Sequence, residues 1–367
     1  MSKTTPTIRG VKARAVVAPI SRPVKNAFGS IEAAPLVLID VATDQGVTGR
    51  SYIFAYTAMA LKPLVHLIDE IGKELVGRAI APLDLMSAMD ARFRLLGWQG
   101  LVGMAVSGLD MAFWDGLGKI AGKPLVELLG GSVRPIKAYD SYGAVDPKAD
   151  ERDLRRSLEL GFRGIKIKGG LGDAATDERI VKGVRALLGP DIALMIDFNQ
   201  SLDPAEALRR IARLAPYDLA WVEEPVPQEN LLGHAEVRKG SSIPIQAGEN
   251  WWFPRGFAEA IAVGASDLIM PDLMKVGGVS GWLRVAGQAE AASIPMSSHL
   301  FAEASAHMLA VTPTAHWLEV LDLAASILAD PIKINDGTLT ARGPGLGLEW
   351  NETAVGNIWS KSAPPGQ

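Results

Sequence analysis

The chain has 367 residues, of which 48% are hydrophobic and 21% charged, a balance typical of a folded globular protein. Its formal net charge of −4 gives no strong attraction to nucleic acid or to an anionic membrane, so we expect neither as a partner. The longest runs without charged side chains, 95–109 and 304–318, are shorter than the ~20 residues that cross a bilayer, and no apolar signal segment opens the sequence. We therefore expect a cytoplasmic protein.

The first third of the chain predicts an α+β domain over residues 1–132. Its antiparallel strands come first, with one strand at 8–20 and a hairpin at 36–54 that reverses at Thr43–Gly46. Three stretches with apolar residues at helical spacing follow, near 57–76, 82–96 and 101–121.

In the next part of the chain, short apolar strands alternate with amphipathic helical patterns. We predict eight strands, at 136–141, 164–168, 193–199, 219–225, 243–249, 267–272, 294–299 and 315–320. Alternation at this period produces right-handed parallel β-α units, and eight of them favour a closed barrel over residues 133–322. An open doubly wound sheet is the alternative, but no glycine-rich nucleotide loop follows the first strand. In the final segment, 323–367, an Asn-Asp-Gly turn predicts a small hairpin outside the barrel.

Charged side chains stand at the ends of the predicted strands, where barrel enzymes carry their catalytic groups. Asp197, Glu223 and Glu249 follow one another at intervals of 26 residues, which is one β-α unit, so each ends a successive strand. Three converging carboxylates need a cation. Because the chain has no cysteine, an all-oxygen site predicts Mg²⁺, with Mn²⁺ as the alternative metal. Taken singly, each carboxylate would instead cap the helix that follows it.

Lys166 and Lys168 lie two residues apart in one predicted strand, so their side chains share a face. If that face is the barrel interior, the two ammonium groups repel each other. We then expect each lysine to lower the pKa of the other, until one serves as a base near neutral pH. A solvent-facing pair on an edge strand is the structural alternative.

His299 and Asp272 end neighbouring predicted strands, where a carboxylate within hydrogen-bonding range would fix the imidazole tautomer and raise its basicity. A buried histidine held by a backbone carbonyl is the alternative. Glu319 ends the last strand, and we expect it to stay protonated and to donate a hydrogen bond to a substrate oxygen. A salt bridge from Glu319 to a nearby loop is the alternative. Glu224 is expected to point to the other face of its strand.

The motifs that carry these residues resemble those of the mandelate racemase subgroup of the enolase superfamily. They are GFRGIKIK, IDFNQSLD, WVEEP, GENW, PDLMKVGGVSGW and PMSSHLFAEASAHMLAVTPTAHWLE. The resemblance implies an α/β fold, a (β/α)7β TIM-like barrel with an N-terminal capping domain, 1–132. It implies that the C-terminal segment, 323–367, completes this domain by packing back on it. A homo-oligomer, either a dimer or an octamer, is implied as well.

The resemblance also implies roles for single residues, since this family removes a proton beside a carboxylate. Asp197, Glu223 and Glu249 would bind the Mg²⁺ that stabilises the resulting enediolate. Lys168 would abstract the α-proton from one enantiomer of the substrate, and His299 would abstract it from the other.

Further residues would hold the substrate and this histidine in place. Asp272 would orient the histidine, Lys166 would neutralise the substrate carboxylate, and Glu319 would donate a hydrogen bond to it. Asn199 and Ser141 would make secondary contacts with the substrate.

The family covers its site with a loop of the capping domain, which corresponds here to residues 21–31. Val24 and Ile31 in this loop, together with Tyr56, would form an apolar substrate pocket that suits an aryl or alkyl group. The polar side chains of the loop are those of Arg22, Lys25 and Asn26.

The sequence supports three hypotheses for function. The first is a Mg²⁺-dependent racemase of a small 2-hydroxy carboxylate, mandelate or a similar aryl acid, with two bases on opposite faces of the α-carbon. The second is a dehydratase of a sugar acid, in which the same enediolate expels a β-hydroxyl group. The third is a catalytically silent barrel that acts as a binding or scaffold protein, which the complete set of charged residues disfavours.

Overall fold

The computed structural model describes residues 5–362, so the ends of the predicted capping domain and C-terminal segment, 1–4 and 363–367, lie outside the described residues. The strands, in chain order, are β1 Ile8–Asn26, β2 Gly29–Thr43, β3 Thr48–Phe54, β4 Pro135–Ser141, β5 Gly164–Lys168, β6 Ala193–Asp197, β7 Leu219–Glu223, β8 Ile245–Ala247, β9 Leu268–Ile269, β10 Leu318–Val320 and β11 Thr338–Thr340. The helices are α1 Leu61–Leu75, α2 Pro82–Phe93, α3 Leu101–Ala121, α4 Leu125–Leu128, α5 Glu151–Glu159, α6 Ala174–Leu188, α7 Pro204–Leu214, α8 Leu231–Gly240, α9 Phe253–Val263, α10 Leu273–Val276, α11 Gly278–Ala291, α12 Ala302–Ala310 and α13 Glu352–Ser362. Within the described part of the chain, no helix has the length and apolar character that crossing a membrane requires.

The strands β1, β2 and β3 form an antiparallel sheet, the cap sheet. Its first two strands are longer than the sequence predicted, so the segment expected to be a loop, 21–31, is a hairpin. The reversal depends on Asn26, whose side-chain oxygen accepts hydrogen bonds from the N–H groups of Phe28 (2.9 Å) and Gly29 (3.1 Å). We call residues 21–31 the lid hairpin.

The helices α1, α2 and α3 lie close to the predicted helical stretches. The apolar face of α1 carries Leu64, Ile68 and Leu75 into the core of the capping domain. In contrast, α3 is buried along most of its length because it packs on the cap sheet and on α11 of the barrel. Asp110 of α3 accepts hydrogen bonds from the N–H (2.9 Å) and the hydroxyl (2.6 Å) of Ser280 in α11, which joins the two domains.

Parallel strands in the second part of the chain form the predicted barrel. Hydrogen-bonded neighbours run in the order β10-β4-β5-β6-β7-β8-β9. The segment 294–299, predicted as a strand, closes this ring through single bridges from Met296 to Ile269 and to Ala315. One reason that it forms no continuous ladder is that Pro295 has no N–H to donate. The (β/α)7β barrel expected from the sequence is confirmed.

Aromatic side chains fill the barrel beneath the ends of its strands. The ring of Tyr139 lies 5.5 Å from that of Trp221 and 6.3 Å from that of Trp317, and all three side chains are buried. Each stands two residues before a polar residue of the same segment, so both members of a pair face the interior. The pairs are Tyr139–Ser141, Trp221–Glu223 and Trp317–Glu319. The polar groups therefore lie directly above a cluster of buried aromatic rings.

The C-terminal segment contacts both domains. The predicted turn is present, with an antiparallel bridge between Asn335 and Thr338, but its second strand, β11, pairs antiparallel with β4, so the expected position outside the barrel is wrong. The first three residues of β4 precede those that pair with β10 and β5, so they offer a free edge to β11. Further along, Glu352 forms an ion pair with Arg14 of the cap sheet (2.6 Å), and the Trp350 indole donates to Asp40 (2.8 Å).

Candidate active site

Strand register brings the predicted site residues to one end of the barrel. Lys168 of β5 is the register neighbour of Asp197 in β6, which is in turn the neighbour of Glu223 in β7. Glu249 follows the next strand, β8, by two residues. The three carboxylates therefore occupy an arc of three adjacent strands, and Glu319 of β10 lies across the ring from the middle of this arc.

Lys168 and His299 flank the carboxylate arc, Lys168 on the strand next to that of Asp197 and His299 on the closing segment beyond β9. With the closing segment counted as the eighth member of the ring, His299 is three places from Lys168 by one route and five by the other. The two side chains therefore approach the centre of the barrel mouth from nearly opposite directions.

The carboxylates of Asp197, Glu223 and Glu249 converge, with one oxygen from each lying within 4.8 Å of the others, and all three residues are buried. Burial raises the pKa of Glu223 to about 8, reinforced by the charges of Asp197 and Glu249 and despite the nearby Lys166. Carboxylates crowded in this way hold protons more tightly than usual, and a bound cation relieves the repulsion between them. Three hard oxygen ligands fit Mg²⁺, which retains positions for water and substrate oxygens.

Two residues that the sequence argument missed hold Glu223 in place. The indole N–H of Trp221 donates to its Oε2 (2.9 Å), and the Gln246 amide donates to the same oxygen (3.1 Å). Trp221 precedes Glu223 by two residues in β7, and Gln246 is the register neighbour of Glu223 in β8. The sequence could have predicted both contacts from strand alternation and register, which place these side chains beside the Glu223 carboxylate.

Asn199 and Ser141 offer polar atoms with no partner at the edge of this cluster. The backbone N–H of Asn199 donates to one Asp197 oxygen (2.7 Å), and its side-chain amide donates to the other (3.2 Å). The Asn199 Oδ1 and the Ser141 hydroxyl are buried without a hydrogen bond among the described residues. Buried polar atoms of this kind are normally satisfied by a ligand or by water.

Lys166 and Lys168 both point into the barrel, with exposures of 0% and 7%, which excludes the solvent-facing alternative. Their pKa values shift upward, so the predicted lowering is wrong. Burial and repulsion from Lys166 lower the pKa of Lys168, but Asp197, Glu249 and Glu223 together outweigh them. Burial likewise opposes a charged Lys166, yet Glu223 and Glu319 raise its pKa well above the ordinary value. The prediction considered the two ammonium groups and left out the carboxylates that face them.

Asp272 and His299 form a hydrogen-bonded pair, with Oδ2 and Nδ1 2.7 Å apart. The N–H of Met274 donates to the other oxygen of Asp272 (2.6 Å), which fixes this carboxylate. The second ring nitrogen of His299 faces the metal cluster, 3.3 Å from Glu249. Burial lowers the pKa of His299, but Glu249 and Asp272 outweigh it, so the pKa lies above its ordinary value.

Glu319 is held by two donors. Lys166 Nζ lies 2.7 Å from one of its oxygens, and the N–H of Leu300 donates to the other (3.0 Å). Burial favours the neutral acid, but Lys166 holds the pKa of Glu319 well below its usual range, so the expected protonated state is wrong for this arrangement. The reason is that Lys166 bridges the barrel interior between Glu223 and Glu319.

Glu224 also faces the cluster, although the sequence argument turned it away. The regular strand ends at Glu223, and Glu224 adopts a left-handed backbone (φ 37°) that keeps its side chain buried at the barrel mouth. The Asn250 amide donates to Glu224 (2.7 Å) and to the metal-cluster residue Glu249 (3.3 Å). Lys275 in turn donates to the Asn250 oxygen, which supplies a positive charge behind the carboxylates.

The lid hairpin approaches the same end of the barrel. Val24 is buried, with 4% exposure, and pairs with Ile31 across the hairpin. The N–H of Ala144, just beyond β4, donates to the backbone oxygen of Lys25 (2.6 Å). Tyr56 reaches the cluster from another part of the cap, because its ring lies 4.7 Å from the Lys275 ammonium.

Two polar side chains of the lid hairpin, those of Arg22 and Asn26, have hydrogen-bond partners, whereas Lys25 is exposed. Arg22 donates to both oxygens of Asp140 (2.5 and 3.2 Å), and the side-chain oxygen of Asn26 is occupied by its own turn. Among the predicted pocket residues, Val24 has its backbone close to Gly143 of the barrel and Tyr56 contacts Lys275, whereas Ile31 is placed by its pairing with Val24.

Comparison with known proteins places this site in a family. Residues 149–354 match the enolase C-terminal domain-like family, and residues 8–130 match the N-terminal domain of the mandelate racemase / muconate lactonizing enzyme family. The structure is similar to the crystal structure of an enolase from Bradyrhizobium complexed with magnesium and mandelic acid. The TM-score is 0.96 and the sequence identity 73%, with 97% of this chain and 99% of that chain covered.

Two relatives of known activity cover nearly the whole chain. D-galactarolactone cycloisomerase from Agrobacterium fabrum is 30% identical over 92% of this chain and 94% of its own length. L-talarate/galactarate dehydratase from Salmonella typhimurium is 27% identical over 95% of this chain and 90% of its own length. The carboxylate geometry and the magnesium of the similar structure agree, so the prediction of a Mg²⁺ site at Asp197, Glu223 and Glu249 is confirmed.

Proposed function

Since this chain belongs to the mandelate racemase / muconate lactonizing enzyme family of the enolase superfamily, we propose that it racemises a 2-hydroxy carboxylate, with mandelate or a similar aryl acid as substrate. The observation that carries this proposal is the placement of Lys168 and His299 on the two flanks of the carboxylate arc. Racemisation needs two such groups, because the proton leaves one face of the α-carbon and returns on the other.

Each residue of the site has a part in this chemistry. Lys168 would become a base once Asp197 is engaged as a Mg²⁺ ligand, because the ion pair that raises the Lys168 pKa would then weaken, and it would remove the α-proton of one enantiomer. His299, whose pKa is raised, would return a proton on the other face. Asp272 keeps the imidazole oriented through its 2.7 Å hydrogen bond. Lys166, which pairs with Glu319 in this structure, would neutralise the carboxylate of the bound substrate. Bound Mg²⁺ supplies electrophilic stabilisation of the negative charge that develops when the α-proton leaves.

The lid hairpin supports an aryl substrate. Val24 presents an apolar side chain near the barrel mouth, and the Arg22 guanidinium is occupied by Asp140. A polyhydroxylated chain would need several free hydrogen-bonding groups, since a polar substrate group without a partner is costly to bury. The Bradyrhizobium protein of similar structure is complexed with magnesium and mandelic acid, which agrees with the proposed substrate class.

A dehydratase of a sugar acid is the second candidate. The names of the two relatives, a galactarolactone cycloisomerase and a talarate/galactarate dehydratase, favour it. Both reactions begin with removal of the α-proton, so the barrel residues alone do not separate them. The engagement of Arg22 by Asp140 favours the racemase, because it keeps one of the two charged side chains of the lid hairpin from contacting a substrate.

The test is proton NMR of the Mg²⁺-loaded enzyme in D₂O with each enantiomer of mandelate and with a panel of sugar acids. We expect both mandelate enantiomers to incorporate deuterium at the α-carbon and to interconvert. A 2-keto product from a sugar acid, with no deuterium entering mandelate, would contradict the racemase and support the dehydratase.

A further inference from the structure

The lid hairpin is weakly joined to the rest of its own sheet. The β1–β2 pairing shifts register between Pro19 and Val24, so residues 20–23 bulge out of the ladder. Beyond this bulge, the hairpin keeps the pairing from Val24 with Ile31 to its tip. A bulge interrupts the continuous ladder that would otherwise hold such a hairpin. Its position over the barrel therefore depends on contacts outside the cap sheet.

Arg22 leaves the sheet at this bulge and enters a socket on the barrel. Its guanidinium donates to both carboxylate oxygens of Asp140 (2.5 and 3.2 Å) and to the backbone oxygen of Ser141 (2.9 Å). It also lies over the ring of Tyr142, 3.6 Å from the ring centroid. A guanidinium that contacts both a carboxylate and an aromatic ring is fixed in orientation as well as attracted by charge.

The socket is built from buried residues that α5 braces. Ser157 of α5 donates to Asp140 (2.5 Å), and the Tyr142 hydroxyl donates to the backbone oxygen of Asp153 (2.8 Å). Asp140, Tyr142 and Ser157 are exposed by only 7%, 3% and 2%. Because its partners are already fixed, the socket does not have to reorganise when the guanidinium docks.

The socket also borders the site. Ser141, which accepts from Arg22, is the register neighbour of Lys166. Two residues further along, the chain passes so close to the hairpin that a Cβ at Gly143 would lie 2.5 Å from the backbone nitrogen of Lys25. The hairpin therefore lies next to the strand ends that carry the site, and movement of Arg22 would displace it at this place.

We infer that Arg22 is a positioning residue that latches the lid hairpin to the barrel through Asp140 and Tyr142, and thereby sets how closely Val24 covers the substrate. This inference rests on the proposed function only for its effect on substrate binding. The latch also withdraws the guanidinium from the pocket, which leaves the hairpin with an apolar inner surface.

The experiment compares Arg22→Met, which removes the charge, with Arg22→Lys, which keeps it without the fork. Lys25→Met is the matched control, because it removes a charge from an exposed side chain of the same hairpin. Hydrogen exchange of peptides covering residues 21–31 is measured on Mg²⁺-loaded enzyme without substrate. We expect exchange about tenfold faster in Arg22→Met, an intermediate rate in Arg22→Lys and the original rate in Lys25→Met.

Steady-state kinetics with mandelate provide the second measurement. We expect KM to rise about tenfold in Arg22→Met while kcat stays within about threefold, since the barrel groups are untouched. Unchanged hydrogen exchange in Arg22→Met would overturn the latch. Faster exchange with an unchanged KM would overturn its role in covering the substrate. If the wild-type enzyme turns over no 2-hydroxy acid, the proposed function fails, and hydrogen exchange still decides the latch.

Discussion

The barrel mouth and the lid hairpin are organised by different kinds of interaction. At the mouth, Lys168, Asp197 and Glu223 are register neighbours in adjacent strands, and the buried charges hold one another. The lid hairpin has a bulge at its base and relies on Arg22 and a few backbone contacts with the barrel. The groups proposed for proton transfer are therefore placed rigidly, whereas the groups proposed for selectivity are placed adjustably. Substitutions in the hairpin can therefore change which substrate the enzyme accepts while the groups proposed for proton transfer stay in place.

Removing a carboxylate from the arc has the largest expected effect. In Glu223→Gln we expect Mg²⁺ affinity, measured by titration calorimetry, to fall by about 100-fold or more and α-proton exchange to vanish, because the site loses a charged ligand. Chelation with EDTA should abolish wild-type activity, and added Mg²⁺ should restore it. Glu236→Gln, an exposed carboxylate of α8, is the control and should behave as wild type. Activity that survives thorough chelation would refute the metal dependence.

Removing one base tests whether the two flanks of the arc act separately. In His299→Asn we expect racemisation to fall by about 10³-fold, since one face of the α-carbon loses its proton carrier. Exchange of the α-proton in D₂O should persist for the single enantiomer that Lys168 serves. His66→Asn is the control, because His66 is an exposed residue of α1 in the capping domain, and this variant should racemise mandelate like the wild type. Equal loss of exchange from both enantiomers would contradict the assignment of two bases.

A change in the lid hairpin should have the smallest effect and a different kinetic signature. In Val24→Ser we expect KM for mandelate to rise about tenfold, because apolar contact with the aryl group is lost. Mg²⁺ affinity should stay unchanged, and kcat should change little. A fall in kcat at constant KM would show instead that the hairpin acts on the chemical step, and the contrast between the two regions would then fail.

Much of the barrel mouth could be predicted from the sequence because its geometry is periodic. The 26-residue interval that separates Asp197, Glu223 and Glu249 is the length of one β-α unit, so spacing alone placed them on successive strands. The contact between His299 and Asp272 followed from the same reasoning about neighbouring strand ends.

Other features depend on contacts that no local pattern reveals. The pKa of Lys168 is raised by Asp197, Glu249 and Glu223 on neighbouring strands, and the ionised state of Glu319 follows from Lys166 reaching across the barrel. The socket of Arg22 joins residues more than a hundred positions apart. The hairpin pairing itself was missed because Asn26 makes its turn with a side chain, in a segment without alternating apolar residues.

The C-terminal segment sets an order for assembly of the protein during synthesis. Arg14 of the cap sheet donates a hydrogen bond to Glu352, which lies 338 residues later in the chain, and Asp40 accepts one from the Trp350 indole. Arg14 and Asp40 also pair with each other within the cap sheet (3.0 Å), but on the ribosome they gain these C-terminal partners only when nearly all of the described chain has been made. The capping domain is thus translated before the barrel that it covers and completed after it.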